Sequence, residues 1–129
     1  MSVRKYQDLI AWQKALELVA EVYRVTRTFP REEIYGLTGQ MRRAAISVPS
    51  NIAEGQGRMS TGEFRQFLGQ ARGSLLELET QLHIAARLGY LGPREGEHLL
   101  HSSAEVGRVM NGLITSLDRA SRHQGKTDH

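Results

Sequence analysis

The chain has 129 residues, with 17 Lys and Arg against 14 Asp and Glu, a formal net charge of +3, and no cysteine. That length supports one domain with a core of its own, and the missing cysteine excludes disulfide frameworks, thiolate metal sites and cysteine nucleophiles and fits a reducing, cytoplasmic setting. No run approaches the ~20 apolar residues of a membrane span, and the start MSVRKYQDL lacks the apolar stretch of a secretory signal.

Residues 6–28 are predicted as a first helix, because Leu9, Trp12, Leu16, Val19, Tyr23 and Thr26 recur at alternating spacings of three and four. It stops at Phe29-Pro30. A second helix is expected from near Glu33 to about Gly55, with Ile34, Leu37, Met41, Ala45, Val48 and Ile52 on one stripe. Pro49 interrupts it. A proline there has no N–H to offer the carbonyl of Ala45 and crowds it, at a cost of about 3 kcal/mol if nothing compensates, so a kink at Pro49 is predicted. Ser47, Ser50 and Asn51 are suited to satisfying freed backbone groups, and Gly55 and Gly57 close the helix.

The third helix has the clearest entry signal, a capping-box spacing of Ser60 and Glu63. Phe64, Leu68, Ala71, Leu75, Leu78, Leu82 and Ala85 form its stripe, and Gly89 ends it. Pro93 suits a first helical position. Leu99, Ser103, Val106, Met110, Leu113 and Leu117 then mark a fourth helix. The expected architecture is all-α, an up-down-up-down four-helix bundle forming a single domain over residues 1–120, with a flexible polar tail over 121–129.

The helices differ in the width of their apolar arcs. Helices 3 and 4 confine theirs to one face. Helix 1 adds Ala11, Leu18, Val22 and Val25 beyond its stripe and leaves Gln13, Lys14, Glu17, Glu21 and Arg24 as a polar strip, while Tyr35, Ile46, Pro49 and Ala53 widen helix 2. An apolar flank left over after a core is built marks an interface. The sequence therefore predicts a homo-oligomer whose contact surface includes Leu18, Val22, Val25, Tyr35, Ile46, Pro49 and Ala53. The alternative is a splayed bundle in which these residues are simply core.

Enzymatic patterns are thin. Glu95 and His98 form one Glu-x-x-His pair, which di-iron bundles use twice together with further inward carboxylates, and a solvated turn explains it better. His98 and His101 lack a third ligand, and Glu77 and Glu79 point to different faces. Gly55-Gln56-Gly57-Arg58 has neither the preceding strand nor the Lys-Ser/Thr of a phosphate loop. No catalytic residue, metal or cofactor is expected.

Arginine is more suggestive. Only Lys5, Lys14 and Lys126 are lysines, and arginine suits forked contacts to phosphate or carboxylate, although a GC-rich genome produces the same bias. Arg58, Arg65 and Arg72 recur every seven residues, His83 and Arg87 continue the stripe, Arg65 and Arg72 have no acid three or four residues away, and Arg42, Arg43 and Arg87 are similarly unpaired within their own helices. Such a set suits phosphate contacts that are salt-dependent and blind to sequence. The competing reading is a solvated face, or ion pairs to another helix through Glu17, Glu21 or Glu105.

The stretches DLIAWQKALELV, Phe29-Pro30, YGLTGQMRRAAISVPSNIAEGQGR and EFRQFLGQARGSLLELETQL resemble the bacterial four-helix-bundle proteins named for open reading frames in intervening sequences of 23S rRNA genes. That family is similar in fold to the accessory protein of diversity-generating retroelements, a homopentameric barrel that binds nucleic acid and a reverse transcriptase. The resemblance implies a pentamer and an RNA or DNA partner, with a reverse transcriptase partner only where genomic context supplies one. The functional expectation is a non-enzymatic oligomer that binds RNA or DNA through Arg42, Arg43, Arg58, Arg65, Arg72 and Arg87. The alternative is a protein-interaction scaffold or accessory subunit.

Overall fold

In the computed structural model, which describes residues 5–127 and side chains to residue 120, a 3-10 turn at Tyr6–Asp8 leads into α1 (Ile10–Thr26). A second 3-10 turn, Arg31–Glu33, precedes α2 (Leu37–Gln56), and α3 (Thr61–Arg87) and α4 (Pro93–Thr127) follow. No strand occurs among the described residues.

The helix ends form where the local chemistry demands. Ser60 caps α3, its Oγ accepting from the Glu63 N–H at 3.2 Å while its hydroxyl donates to Glu63 Oε1. At the other end Gly89 takes φ +78°, the left-handed conformation that a Cβ disfavours. This lets the Gly89 N–H reach the Ala86 carbonyl and the Tyr90 N–H reach that of Ala85, closing a Schellman motif. Pro93 occupies the first position of α4, where a missing N–H is harmless. The start of α2 has no side-chain cap from Gly36, and Glu33 substitutes by accepting from the Leu37 N–H at 3.1 Å and from the Tyr90 hydroxyl at 3.0 Å. The hydrogen bond to Glu33 in turn holds the Tyr90 hydroxyl above its ordinary pKa.

Short connections make successive helices antiparallel, as cross-helix partners show. Arg42 meets Thr26, Ser47 meets Ser74, and Arg65 and Arg72 meet Asp118 and Asn111. Lys14, Glu21 and Arg24 meet Glu105, His98 and Glu95, which closes the ring between α1 and α4. Each helix thus touches two neighbours, α1 and α3 lie on one diagonal, and α2 and α4 lie on the other. This is the expected four-helix bundle.

The core follows the predicted stripes closely in α3 and α4. Leu68, Ala71, Leu75, Leu78, Leu82 and Ala85 pack against Leu99, Val106, Met110 and Ile114. Ser103 is fully buried, and its hydroxyl donates to Glu79 at 2.9 Å, so the polar group is not stranded. In α2 the buried residues include Met41, Ala45, Val48 and Ile52, as expected, whereas Ile34 falls before the helix and is exposed.

In α1 the inward face is the other one. Leu18, Val22 and Val25 are 2%, 0% and 3% exposed and lie with Ala11 and Ala15 in the protomer's own core. They are not left over for a second copy, contrary to the expected interface. The alanines are the reason: with little side chain at positions 11 and 15, this face brings α1 close to its neighbours, and the bulkier Leu16 and Trp12 ride outside it.

Pro49 is buried inside α2, which runs unbroken through it. The polar side of this segment holds α2 to α3. Ser47 and Ser74 hydroxyls lie 2.9 Å apart, and the Asn51 amide donates to both the hydroxyl and the carbonyl of Ser47. That side-chain bond reaches the Ser47 carbonyl rather than the Ala45 carbonyl deprived by the proline. At the far end α4 is helical to Thr127, so the helix continues through most of the segment expected as a tail; residues 128–129 lie outside the described residues.

Candidate nucleic-acid and assembly surfaces

The arginine stripe of α3 lies on the flank facing α4. Arg65 Nε donates to Asp118 Oδ1 at 2.8 Å, an acid 53 residues away that no local spacing reveals. Arg72 reaches a neutral partner, Asn111 Oδ1, at 3.2 Å. Arg87 is exposed at the last turn of α3 and makes no ion pair among the described residues. His83 is exposed one turn earlier.

The other arginines are not part of this stripe. Arg43 is exposed at the α2–α3 seam, where it lines a shallow cavity with Ser47, Ser74 and Glu77. Arg58 sits in the α2–α3 connection with its guanidinium 4.7 Å from the centre of the Phe67 ring and 3.8 Å from Glu54. Arg42 belongs to the opposite seam: its Nε donates to Thr26 Oγ1 at 2.9 Å and its guanidinium stacks 4.4 Å over Tyr23. Such stacking leaves the guanidinium edges available for further donors. The fold therefore distributes the six arginines over four places rather than one continuous face.

The polar strip of α1 is a seam against α4. Lys14 pairs with Glu105, Arg24 joins Glu21 at 2.7 Å and Glu95 at 2.9 Å, and His98 Nε2 lies 3.6 Å from Glu21. The hydrogen bond to Glu105 raises the Lys14 pKa, and the same bond holds Glu105 below its usual range. Arg24 likewise depresses Glu21. Glu95 and His98 thus turn to separate partners on α1. Among the described residues no cluster of three or more His, Asp or Glu side chains could hold a metal ion. Neither Glu21 nor Glu105 pairs with an α3 arginine; both face partners on α1 and α4. A signal for this seam was present, since Lys14 and Glu21 are seven residues apart and so are His98 and Glu105.

The apolar surface left over lies between α1 and α2. Leu16 and Ile46 are 41% and 42% exposed, and with Trp12, Val19, Pro49 and Ala53 they line an open groove of about 320 Å³. Tyr6 closes one end, its ring edge-on to Trp12 at 5.3 Å. Of the expected interface residues, Ile46, Pro49 and Ala53 are on this groove; Tyr35 stands apart at 95% exposure. Trp12, Leu16 and Val19, which lie on the predicted inward stripe of the first helix, also line the groove, and Trp12 and Val19 pack partly against the core as well. Among the described residues no helix is long and apolar enough to cross a membrane.

The family model for the 23S rRNA-intervening sequence protein matches residues 7–112. A crystal structure of a protein of unknown function from the S23 ribosomal protein family, from Bacteroides thetaiotaomicron, superposes with a TM-score of 0.77 at 21% identity, covering 87% of this chain and 99% of that one. At that identity the likeness is one of fold. No curated protein matches the chain.

Proposed function

This chain belongs to the 23S rRNA-intervening sequence protein family, and on that premise we propose that it is a non-enzymatic, homo-oligomeric bundle that binds RNA or DNA through surface arginines. The observation that carries the reading is the α3 flank, where Arg72 and Arg87 are exposed without a carboxylate partner among the described residues. Arg65 belongs with them despite Asp118. Both side chains of that pair are partly exposed, at 46% and 39%, and such a pair is worth only ~0–1 kcal/mol, so a phosphate can displace the acid at little cost. The contacts would be to backbone phosphates, because the aromatic side chains are few and Phe64 and Phe67 are half-buried.

A second copy occupying the α1–α2 groove is the assembly we propose, and the resemblance noted above favours a pentamer. Contiguous apolar surface contributed by two helices supports it, since water is excluded from both at once. Leu16→Glu and Ile46→Glu each place a charge in that groove without touching the core. Light scattering should report dissociation in both; a wild-type protein that stays monomeric at micromolar concentration would overturn the assembly.

The nucleic-acid reading is tested by titrating a labelled single-stranded RNA across a salt series. Binding should weaken steeply as salt rises, and Arg65→Ala/Arg72→Ala should weaken it at every salt concentration. Absence of binding at low salt would remove this reading. It would leave the scaffold reading, an accessory subunit whose Arg65 is engaged internally by Asp118 and whose groove receives a protein.

A further inference from the structure

At the end of the bundle where α1 turns into α2, an open cleft of about 530 Å³ separates the last turn of α1 from the 3-10 turn and the start of α2. Three arginines line it: Arg27, Arg31 and Arg42. No carboxylate does. Arg27 and Arg31 are exposed and neither side chain makes a hydrogen bond or ion pair among the described residues. Arg42 is held in place by Thr26 and Tyr23, which orient its guanidinium while using only Nε as a donor. Three cations lining one cleft with no acid in its lining, one of them held by a hydrogen bond and a ring, fit an anion better than they fit solvent.

The remaining lining says what else the anion carries. Phe29, Pro30 and Ile34 supply an apolar wall, and Ile34 is exposed on it although it has the character of a core residue. Thr26 and Thr38, both buried, complete the cleft. A carboxylate would leave most of the positive charge uncompensated. A phosphate monoester carries roughly −1.5 to −2 at neutral pH with three acceptor oxygens, and the cleft is within the ~300–1,000 Å³ range of small-molecule sites. We propose that this cleft binds a nucleotide, its phosphate held by Arg27, Arg31 and Arg42 and its base laid against Pro30 and Ile34.

The cleft does not require the nucleic-acid surface proposed above, since Arg65, Arg72 and Arg87 lie on the α3 flank facing α4 and Arg42 lies on the opposite seam. The same chemistry is presented by a free nucleoside monophosphate and by the 5′-phosphorylated end of a strand.

Isothermal titration of the full chain with adenosine 5′-monophosphate, inorganic phosphate and adenosine tests the proposal. The monophosphate should bind at least tenfold more tightly than either part alone. Arg27→Gln/Arg31→Gln should reduce that affinity at least tenfold with an unchanged thermal melt, and Ile34→Ser should lower affinity for the nucleotide but not for phosphate. Arg65→Gln/Arg72→Gln should leave it unaltered. A 5′-phosphorylated RNA decamer that gains tenfold over its 5′-hydroxyl form, with the gain lost in Arg27→Gln/Arg31→Gln, supports the strand end as the source; nucleotide binding without that gain supports the free nucleotide. No binding of nucleotide or decamer end at millimolar concentration, equal binding by the double variant, or nucleotide binding no better than phosphate would each overturn the proposal. Nucleotide binding by a wild-type chain that does not bind long RNA at low salt would refute the α3 surface alone.

Discussion

Gly55→Ala probes a close approach of α2 to α3. Gly55 is buried in the last turn of α2, and a Cβ there would lie 2.6 Å from Phe67 Cβ, 3.0 Å from Phe64 Cδ1 and 3.3 Å from the Phe64 carbonyl oxygen. In an open helix the same substitution is stabilising by about 1 kcal/mol, because alanine loses less backbone freedom on folding. Here the atom that must yield is a Cβ, which moves only with the backbone of α3. Overpacking of a tight contact costs about 1–3 kcal/mol, and the upper end applies where no flexible side-chain tip can swing away. The balance is a loss of about 2 kcal/mol, which lowers Tm by roughly 6–10 °C for a domain of this size.

Gly73→Ala supplies the control. Gly73 lies mid-helix in α3 with nothing within 4 Å of its Cβ position, so the same change of residue should stabilise by up to about 1 kcal/mol. Urea denaturation followed by circular dichroism, at one fixed protein concentration because assembly contributes to apparent stability, reads both variants on one scale. A Gly55→Ala protein as stable as wild type would refute the close packing of the α2 C-terminus on Phe64 and Phe67.

Other outcomes follow from particular contacts. Leu78→Ala removes a fully buried side chain at the centre of α3 and should cost about 2–5 kcal/mol in urea denaturation. Gly89→Ala places a Cβ on a left-handed residue and should cost about 1–2 kcal/mol, with a lowered Tm as the readout. The α1–α4 seam predicts a two-sided pH dependence. Glu21 and Glu105 have depressed pKa values, so their contribution is present above the ordinary carboxylate value of 4.5 and is lost as pH falls through their folded values. Lys14 is raised, so its contribution is present below 10.5 and is lost as pH rises through its folded value. Thermal melts across pH should show both losses, and Glu105→Gln should flatten the alkaline one as well as part of the acid one, because it removes the partner of Lys14.

Helix ends and the faces of α3 and α4 were legible because they are local properties. Ser60 with Glu63, Gly89, and Pro93 each act within a few residues of themselves, and a single narrow stripe such as Leu68 to Ala85 has one way to point inward. The candidate surfaces were less so. Arg65 has no acid three or four residues away on its own helix, and its partner Asp118 is brought to it only by the antiparallel packing of α4 on α3. The cleft of Arg27, Arg31 and Arg42 joins residues on both sides of the Phe29-Pro30 turn, which periodicity treats as a simple stop.

By itself, then, the sequence determined the number of helices, their punctuation and their family. Tertiary structure decided which side of α1 is inside. A helix with an apolar arc spanning more than half its circumference offers two candidate faces of similar hydrophobicity, and the hydrophobic effect is non-directional. What separates them is shape: the face with Ala11 and Ala15 permits close packing, and the face with Trp12 and Leu16 does not. That choice depends on what the neighbouring helices present, so it turns Leu18, Val22 and Val25 inward and leaves Leu16 beside Ile46 and Pro49, on the groove through which we propose this bundle meets its own copies.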